Sequence, residues 1–582
     1  MVMPGGPISR FTSFRLKSRG NMLDRPKQRF VNRQNLDRVL LTVVSLTLRL
    51  LTAVFITQPG YMDVAYYTAG AVSVARGSGL NEPFIWNYLN DPAGIPHPGF
   101  LYWMPLPSLL GAPMAAMFPN SFFALQVPFA ILSTLVPLMA YSLAREVTGS
   151  RLLAWASGLL AVFGGFFFPY WTVPETFAPF ALFGALALWL AGGSREENGW
   201  RMKKGRWLLA GALVGLAHLT RADGILLLPI VAFAPFLSYE PDDPPTAENP
   251  ASYASRLTFY VSRLASYVSR FTPQASWVAF RQSLFILLGY LLAMAPWFAR
   301  NVAVIGAPLS PAGTKTIWLT EYDDLFCYDC DLSLASYLAW GWGNILHSKL
   351  SALWINFQRL LAEGGMVFLL PLAIIGFYRL RRRLAFLLAF LYLMLIYLAH
   401  SLIFTFPGWR GGFFHASSAV LPFLYAAGIE GLDRVIRWVA RRRRTWRYRQ
   451  ARTVFAVAVV VIAVILSGTM AWRQIPSWRR AGTIYQDVER WLTGRGADDA
   501  GVMVRNPPAF WYHTDRPAIV IPNGGVDMLI EVADRYDVRY VLLDSSHPAP
   551  LADLHAGEGS HPRLGVLERW PEERAVLYAV QP

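Results

Sequence analysis

The sequence predicts a polytopic α-helical membrane protein that ends in a small extracytoplasmic α/β domain. Of its 582 residues, 54% are hydrophobic and only 15% are charged, and the mean hydropathy is +0.33. Water-soluble domains carry about a quarter charged residues. The charged residues are also concentrated in short segments between long apolar runs. A helix that crosses the hydrocarbon core needs roughly 20 mainly apolar residues, and many of these runs approach that length.

About eleven apolar runs qualify as membrane spans by length and composition. Their predicted limits are 38–57, 121–144, 151–168, 172–191, 207–220, 224–238, 282–300, 365–379, 384–404, 413–432 and 453–472. The first run reads as a signal anchor that is retained, because it is long enough to span and no cleavage site is evident.

The net charge of +16 follows the loops between these runs. Four basic segments fall on one face when the N-terminus is cytoplasmic: the arm 1–37 and the segments 195–206, 379–383 and 434–452. Cytoplasmic loops carry an excess of Lys and Arg. The charge is therefore explained without nucleic acid, and we predict a multi-pass cell-membrane protein whose C-terminal end is extracytoplasmic.

Three pieces of the chain are predicted to lie outside the cytoplasm. The first outer loop, 58–120, is rich in Trp, Tyr and Pro, which favours helices at the membrane interface. The second outer loop is 301–352, and the third piece is the tail 475–582. The tail predicts an open sheet from alternating helix and strand patterns. Its expected elements are a helix near 484–495, strands at 501–505 and 517–521, a helix near 525–535 and a strand at 538–543.

Residues 252–272 repeat Ser-Arg every seven residues, beginning at Ser255, Ser262 and Ser269. Such a period is typical of an amphipathic helix on the cytoplasmic membrane surface. An insertion of low complexity without a function explains the pattern equally well. We expect this segment to be dispensable for activity.

Asp63 is the strongest candidate for chemistry, because it lies just beyond the outer end of the first span. Two structural alternatives apply to an acid in this position. It is either a solvated loop carboxylate or the N-cap of the helix that follows, since Asp is a favoured N-cap residue.

The surroundings of Asp63 and three later motifs resemble the GT-C glycosyltransferases, among them the protein O-mannosyltransferases and the aminoarabinose transferases. The motifs are HPGFLYWMPLPSLL at 97–110, GLAHLTRADGILLLP at 215–229 and APWFARNVAVIGAPL at 295–309. The resemblance extends over most of 38–475 and depends on the order of the motifs. It implies a GT-C-like transmembrane domain over 38–474, followed by the soluble domain.

The resemblance implies transfer of a sugar from a polyprenyl-phosphate donor to an acceptor hydroxyl on the extracytoplasmic face, with inversion. Asp63 would deprotonate the acceptor, which is a lipid, glycan or protein. Arg410, Arg300 and Arg221 would hold the donor phosphate. A divalent metal is compatible with this chemistry, and the sequence leaves metal dependence open.

The sequence departs from the family pattern directly after Asp63. Many members of the family carry an Asp-Glu pair at this point, whereas Asp63 is followed by Val64 in this sequence. The second acid is then Glu175, Glu82 or Asp91. His97 is a further candidate for contact with phosphate or acceptor.

Each of these candidates also has a structural alternative. Arg221 is placed to pair with Asp223, and Arg300 to reach the interface. Arg410 could be an ordinary loop cation, and Glu175 could be the start of a helix after Pro174.

Cys327 and Cys330 are the only cysteines, and both fall in the second outer loop. A local disulfide and two free thiols are both compatible with that compartment, whereas a CxxC alone is a poor metal site. The competing functions are a transporter or flippase of lipid-linked sugars, an oligosaccharide ligase or polymerase, and a scaffold. A transporter would predict internal repeats, and no clear repeat relates the two halves.

Overall fold

A computed structural model of the protein describes residues 24–193, 204–238, 273–443, 445–497 and 500–581. The repeat at 252–272, the first 23 residues of the basic arm and most of the basic segment 195–206 lie outside the described residues. The remainder of the arm is helical, since the first helix begins at Asp24, well before the predicted start of the span at 38.

Most of the described chain is a bundle of apolar helices. Six are long and apolar enough to cross a membrane: Arg33–Phe55, Phe122–Thr148, Ser276–Ile305, Leu384–Ile403, Thr405–Arg442 and Tyr448–Gly494. Two bent pairs pass the same test together, Arg151–Phe163 with Gly165–Trp171 and Trp342–Gly364 with Leu369–Leu380. Three shorter apolar helices are Leu106–Met117, Phe177–Gly192 and Ala222–Leu237.

The individual helices have these bounds in the structure. In the membrane part and the outer loops they are Asp24–Phe55, Met62–Ala75, Leu106–Met117, Phe122–Thr148, Arg151–Phe163, Phe177–Gly192, Lys204–Thr220, Leu227–Ser238, Pro273–Ile305, Ala312–Lys315, Leu334–Ala339, Trp342–Arg359, Leu369–Leu380, Leu384–Leu398, Thr405–Pro407, Phe413–Ser417, Leu421–Arg442 and Tyr448–Trp478. In the tail they are Thr483–Gly494, Pro507–Thr514, Val526–Arg535 and Ala552–Ala556.

The predicted polytopic fold is confirmed, and every predicted span coincides with helical structure. Two apolar helices were not among the predicted spans, Leu106–Met117 in the first outer loop and Trp342–Arg359 at the end of the second. The second of these is bent by 92° from the helix that follows it, which separates it from a regular span. The chain is therefore a multi-pass membrane protein.

Capping residues set the turn between two consecutive helices of the bundle. The side chain of Ser121 accepts a hydrogen bond from the Ala124 amide at the start of Phe122–Thr148. That helix ends at Gly149, whose φ of 65° is accessible mainly to glycine. Ser150 then caps Arg151–Phe163 in the same way, through the Leu153 amide.

Small residues bring other helices into backbone contact. A Cβ at Gly376 would lie 1.9 Å from the Ala427 carbonyl oxygen, and one at Gly431 would lie 1.9 Å from the Leu372 oxygen. Close approach of this kind is how helices associate in a lipid environment. It packs Leu369–Leu380 against Leu421–Arg442.

The tail forms an open, mixed sheet. The described residues form eight strands: β1 Asn81–Glu82, β2 Phe84–Ile85, β3 His97–Pro98, β4 Gly501–Val504, β5 Ala518–Val520, β6 Val538–Leu543, β7 Leu564–Trp570 and β8 Ala575–Val580. The six-stranded sheet has the order β2-β5-β4-β6-β8-β7, in which β2, β5, β4 and β6 are parallel and β8 and β7 are antiparallel. The predicted elements of the tail are confirmed, while Pro507–Thr514, β7 and β8 were not predicted.

One edge of this sheet comes from the first outer loop rather than from the tail. Strand β2 pairs with β5, so that Phe84 lies opposite Ala518 and Ile85 opposite Ile519. Further contacts join the same two parts of the chain, including an ion pair of 2.6 Å between Arg535 and Asp91. The first outer loop and the tail are therefore one packed unit.

Candidate functional site

Asp63 lies in the first turn of the helix Met62–Ala75, which belongs to the first outer loop. The N-cap of that helix is Tyr61, with no side-chain cap, so the interpretation of Asp63 as an N-cap is wrong. Most of the helix is buried, including Val64, Tyr66 and Tyr67. This packing fixes the helix, while the Asp63 side chain keeps 30% of its surface exposed.

A histidine joins Asp63 to Glu175. The Nε2 atom of His415 lies 3.9 Å from the Asp63 Oδ2 atom, and its Nδ1 atom lies 3.0 Å from the Glu175 Oε1 atom. Thr176 Oγ1 donates to the same Glu175 oxygen at 2.8 Å, and the Phe177 ring stacks on His415 at 4.1 Å. Of the proposed second acids, the structure thus brings Glu175 to Asp63.

Glu175 precedes a helix without starting it. The helix begins at Phe177 and its N-cap position is Thr176, so the interpretation of Glu175 as a helix start is wrong. Its side chain is fully buried. Within the described residues the Oε2 atom has no hydrogen-bond partner, which is costly for a buried carboxylate. That oxygen is available to a substrate or an ion.

The two carboxylates share one histidine. Burial and the negative charge of Glu175 raise the pKa of Asp63 to about 6, against the opposing effect of His415. His415 lies closer to Glu175, at 3.0 Å, than to Asp63, at 3.9 Å. The raised pKa makes Asp63 a candidate for exchanging a proton near neutral pH.

The same three residues are candidates for a divalent metal site. Asp63, Glu175 and His415 each offer one ligand atom, and the three atoms lie within 4.8 Å of one another. Two carboxylates and an imidazole are a ligand set suited to Zn²⁺ or Mn²⁺. The donor set fits a cation, and the unpartnered Glu175 oxygen is consistent with one.

Arg221 lies close to this cluster but is already paired. Its Nε and Nη2 atoms donate to the two Asp223 oxygens at 2.9 and 2.8 Å. The predicted pairing with Asp223 is therefore confirmed, and His400 Nε2 lies 3.2 Å from the same carboxylate. The positive charge of Arg221 lowers the pKa of both Asp63 and Glu175. Arg221 thus acts on the site through its positive charge, while two of its N–H groups are engaged by Asp223.

Arg410 approaches the site from the turn Gly408–Gly412 and is exposed. Its guanidinium carbon lies 5.1 Å from the ring centroid of Tyr322, in the second outer loop. Burial raises the pKa of Tyr322 to about 12. The charge of Asp63 contributes to this rise, and the charge of Arg410 opposes it. Tyr322 is therefore within electrostatic reach of both groups.

Four other predicted site residues lie in the first outer loop or against it, apart from the Asp63 cluster. Glu82 accepts hydrogen bonds from the Tyr66 hydroxyl and the Phe100 amide. The two ring nitrogens of His97 lie 3.1 and 2.9 Å from carbonyl oxygens. Arg300 donates to the Leu80 carbonyl at 3.0 Å, and Asp91 is paired with Arg535. These groups hold the loop together.

The sequence analysis did not single out His415, His400 or Tyr322. A signal was present for the histidines, because His415 falls inside the predicted span 413–432 and His400 near the end of 384–404. An ionisable residue within a span is by default a functional candidate. Tyr322 had no comparable signal in a loop rich in aromatic and acidic residues.

Residues 97–266 match the family described as dolichyl-phosphate-mannose-protein mannosyltransferase, which is less than a third of the chain. No curated protein matches the chain in sequence.

The fold is similar to solved structures. ArnT from Cupriavidus metallidurans in the apo state is 14% identical, with 93% of this chain and 97% of that chain covered and a TM-score of 0.54. The same protein bound to undecaprenyl phosphate gives the same identity and coverage with a TM-score of 0.52. The Archaeoglobus fulgidus oligosaccharyltransferase in complex with Zn and sulfate is 16% identical over 92% of this chain and 73% of that chain, with a TM-score of 0.49.

The similarity to ArnT extends over nearly the whole of both chains. The GT-C fold that the sequence motifs predicted is therefore confirmed. The helical bundle, the outer loops and the C-terminal sheet together make up this fold.

Proposed function

We propose that this GT-C protein transfers a sugar from a polyprenyl-phosphate donor to an acceptor hydroxyl at the extracytoplasmic end of the bundle. The observation that carries the proposal is the cluster of Asp63, Glu175 and His415, beside the charge of Arg221. A carboxylate whose pKa is raised to about 6 is suited to general-base catalysis near neutral pH. The ArnT structure with undecaprenyl phosphate supports a donor of this class.

In the proposed reaction the acceptor hydroxyl oxygen attacks the anomeric carbon and its proton passes to the Asp63 carboxylate. The bond from the anomeric carbon to the phosphate oxygen breaks, and its electron pair leaves with the polyprenyl phosphate. This is one direct displacement, so the anomeric centre is inverted. The sugar is a hexose or pentose in this proposal, and the acceptor is a lipid, a glycan or a protein.

The departing phosphate needs positive charge, and Arg410 is the best placed of the three predicted arginines to supply it. Arg221 is engaged by Asp223 and Arg300 by a backbone carbonyl. The guanidinium of Arg410 contacts the ring of Tyr322, and a ring face leaves its N–H groups free to turn toward a phosphate. Arg221 stabilises the developing negative charge from a distance.

Glu175 and His415 position the base. His415 lies between the two carboxylates, with its Nε2 atom 3.9 Å from Asp63, while Glu175 orients the imidazole through Nδ1. If a divalent cation is bound, these three residues would hold it, and it would add a Lewis acid beside the leaving phosphate.

We also propose the orientation that the distribution of basic residues predicts, with the N-terminus in the cytoplasm and the tail outside. Reporter fusions placed after Arg444 and after Gln581 should give opposite compartments. Fusions that report the same side would contradict the orientation and would move the proposed site to the cytoplasmic face.

The function is tested by incubating purified protein with a panel of polyprenyl-phosphate sugars and measuring release of polyprenyl phosphate with each acceptor class. Wild-type protein should turn over at least one donor, and Asp63→Asn should not. Transmembrane movement of the donor without release of polyprenyl phosphate would favour a flippase instead.

A further inference from the structure

The C-terminal domain contacts the segment that carries Tyr322. In this segment Asp324 Oδ2 accepts hydrogen bonds from the amides of Thr320 and Glu321 at 2.8 and 2.9 Å. A disulfide joins Cys327 and Cys330, which resolves the two alternatives for these cysteines. The segment 320–330 is thus stabilised by bonds within itself. The ring of Tyr322, which belongs to this segment, contacts the Arg410 guanidinium.

Two residues of the sheet hold the segment from the other side. Arg505 Nη2 donates to Asp323 Oδ1 at 2.7 Å, and its guanidinium carbon lies 4.4 Å from the Phe326 ring centroid. Asn523 donates from its amide to the Phe326 carbonyl at 3.0 Å and from its side chain to Glu321 Oε1 at 2.8 Å. We refer to these contacts of Arg505 and Asn523 as the clasp.

The clasp lies at the carboxyl-terminal edge of the parallel strands β4 and β5. Arg505 follows β4 and Asn523 follows β5 by three residues, so both stand at the carboxyl ends of adjacent parallel strands. In open parallel sheets this edge is where ligands bind. Here the second outer loop fills that position, which indicates that this edge of the domain serves to grip the loop.

The same domain also holds the first outer loop. Arg76, just after the helix Met62–Ala75, pairs with Asp515 at 2.5 Å, and β2 pairs with β5. One rigid sheet therefore contacts the helix that carries Asp63 and the segment that carries Tyr322. A sheet is a more precise support than two independent loops.

We infer that the C-terminal domain is a positioning domain, in which Arg505 and Asn523 hold Tyr322 and, through its ring, hold Arg410 at the donor phosphate. The inference rests on the proposed function, since it assigns the donor phosphate to Arg410. Arg505 is a positioning residue in this account, because it contacts the loop and not the substrate. Misplacement of a binding group by about 1 Å is enough to reduce catalysis strongly.

The test is binding of polyprenyl phosphate to protein in nanodiscs, followed by tryptophan fluorescence. Arg505→Ala and Asp323→Ala should each raise the Kd about fivefold to tenfold, and the double variant should raise it no further than either single change. Arg505→Lys keeps the ion pair and should recover most of the affinity. In turnover assays the donor KM should rise more than kcat falls.

The matched control is Arg563→Ala, which breaks an equivalent pair with Asp534 in the same domain, made by two bonds of 2.7 Å. This pair does not touch the second outer loop, and the Kd should stay at the wild-type value. If Arg505→Ala does not fold, Asp323→Asn and Asn523→Ala replace it, with the same expected rise.

The outcomes separate the two proposals. Wild-type binding with unchanged Kd values for folded clasp variants, or additive effects of Arg505→Ala and Asp323→Ala, would overturn the positioning role and leave the proposed function intact. Wild-type protein that binds no polyprenyl phosphate would overturn the proposed function and the positioning role together.

Discussion

Two clusters of the molecule each combine a buried glutamate with a histidine, and they differ in how completely their polar atoms are bonded. Glu82 and His97 lie in the first outer loop, with 3.6 Å between His97 Nε2 and Glu82 Oε2. Glu175 and His415 lie at the outer end of the bundle, with 3.0 Å between Glu175 Oε1 and His415 Nδ1. Both glutamates are almost fully buried: Glu82 exposes 4% of its surface and Glu175 exposes 1%.

The hydrogen bonds separate the two clusters. Glu82 accepts from a tyrosine hydroxyl and a backbone amide, and both nitrogens of His97 lie against carbonyl oxygens. In the other cluster Glu175 keeps an unpartnered oxygen among the described residues, and His415 reaches toward a third group, Asp63. Buried polar groups whose hydrogen bonds are made within the protein stabilise a fold, whereas a buried polar atom without a hydrogen-bond partner points to a ligand.

The largest expected effect is that of Asp63→Asn. Asn keeps the shape of the side chain but has no basicity, so turnover should fall by roughly two to four orders of magnitude, which is the usual contribution of a positioned general base. The measurement is kcat with the donor found in the screen. Asp63→Glu, which moves the charge by a methylene, is the companion variant and should retain some activity.

A folded and correctly inserted Asp63→Asn protein with normal turnover would remove the central residue of the mechanism. It would also show that the raised pKa of Asp63 is a property of burial alone, without a catalytic use.

The pH dependence of kcat/KM gives a second view of Asp63. A base is active when deprotonated, so activity should be low below the pKa of Asp63 and rise with pH through about 6, because burial raises that pKa. A bound cation would lower the pKa of its carboxylate ligands. A rise centred well below pH 6 that moves toward 6 after chelation would therefore indicate a metal at this cluster.

Glu175→Gln should have the next largest effect on turnover. It removes the charge that orients His415, and we expect a loss of about tenfold to a hundredfold, in the range seen when the partner of a functional histidine is changed. The measurement is kcat beside the thermal unfolding midpoint. A large fall in the midpoint with unchanged kcat in the surviving fraction would make Glu175 structural, like Glu82.

The contrast between the clusters also shows what the sequence alone could predict. The span pattern and the order of motifs were sufficient to predict the membrane fold, because hydropathy and motif order can be read directly from the sequence. The same motifs singled out Asp63, whose role stays a prediction. The choice among Glu175, Glu82 and Asp91 was not possible. The sequence does not rank these three acids, because the fold alone brings His415 to one of them and Arg535 to another.

The role of the tail was equally hidden from sequence. The patterns of β4, β5 and β6 predicted a sheet, but β2 has only two residues, Phe84 and Ile85, and carries no periodic signal. A strand donated from more than 400 residues away is a property of tertiary packing. Sequence reasoning therefore separated the first outer loop from the domain that it completes.

Arg410→Ala should weaken binding of polyprenyl phosphate by about tenfold, the loss expected for one charge-assisted contact of about 1.4 kcal/mol. Arg410→Lys keeps the charge and should bind more tightly than the alanine variant. The measurement is the Kd in nanodiscs. Wild-type affinity in both variants would reject Arg410 as the phosphate ligand and leave Arg221 as the nearest cation.

The smallest effect on turnover is expected for Glu82→Gln, the same substitution as Glu175→Gln made in the cluster of the first outer loop. Burial raises the pKa of Glu82, against the opposing effect of His97, so the fold disfavours the charged form that Gln removes. Gln also keeps an oxygen to accept from Tyr66 and Phe100. The turnover number should therefore stay within about twofold of wild type. Glu82→Ala removes the acceptor of the buried Tyr66 hydroxyl, while the Phe100 amide keeps that hydroxyl oxygen at 3.1 Å, and it should cost about 1–3 kcal/mol of stability.

The sign of the pH effect on stability follows from the same raised pKa. The stability that Glu82 contributes is fully present below its unfolded pKa and is lost as the pH rises through the folded pKa, so Glu82→Gln should flatten that part of the profile. Thermal unfolding of both proteins between acidic and neutral pH checks this. A hundredfold loss of turnover in a stable Glu82→Gln protein would contradict the comparison. A buried, unpartnered carboxylate oxygen, which Glu175 has and Glu82 does not among the described residues, would then fail to mark the functional acid.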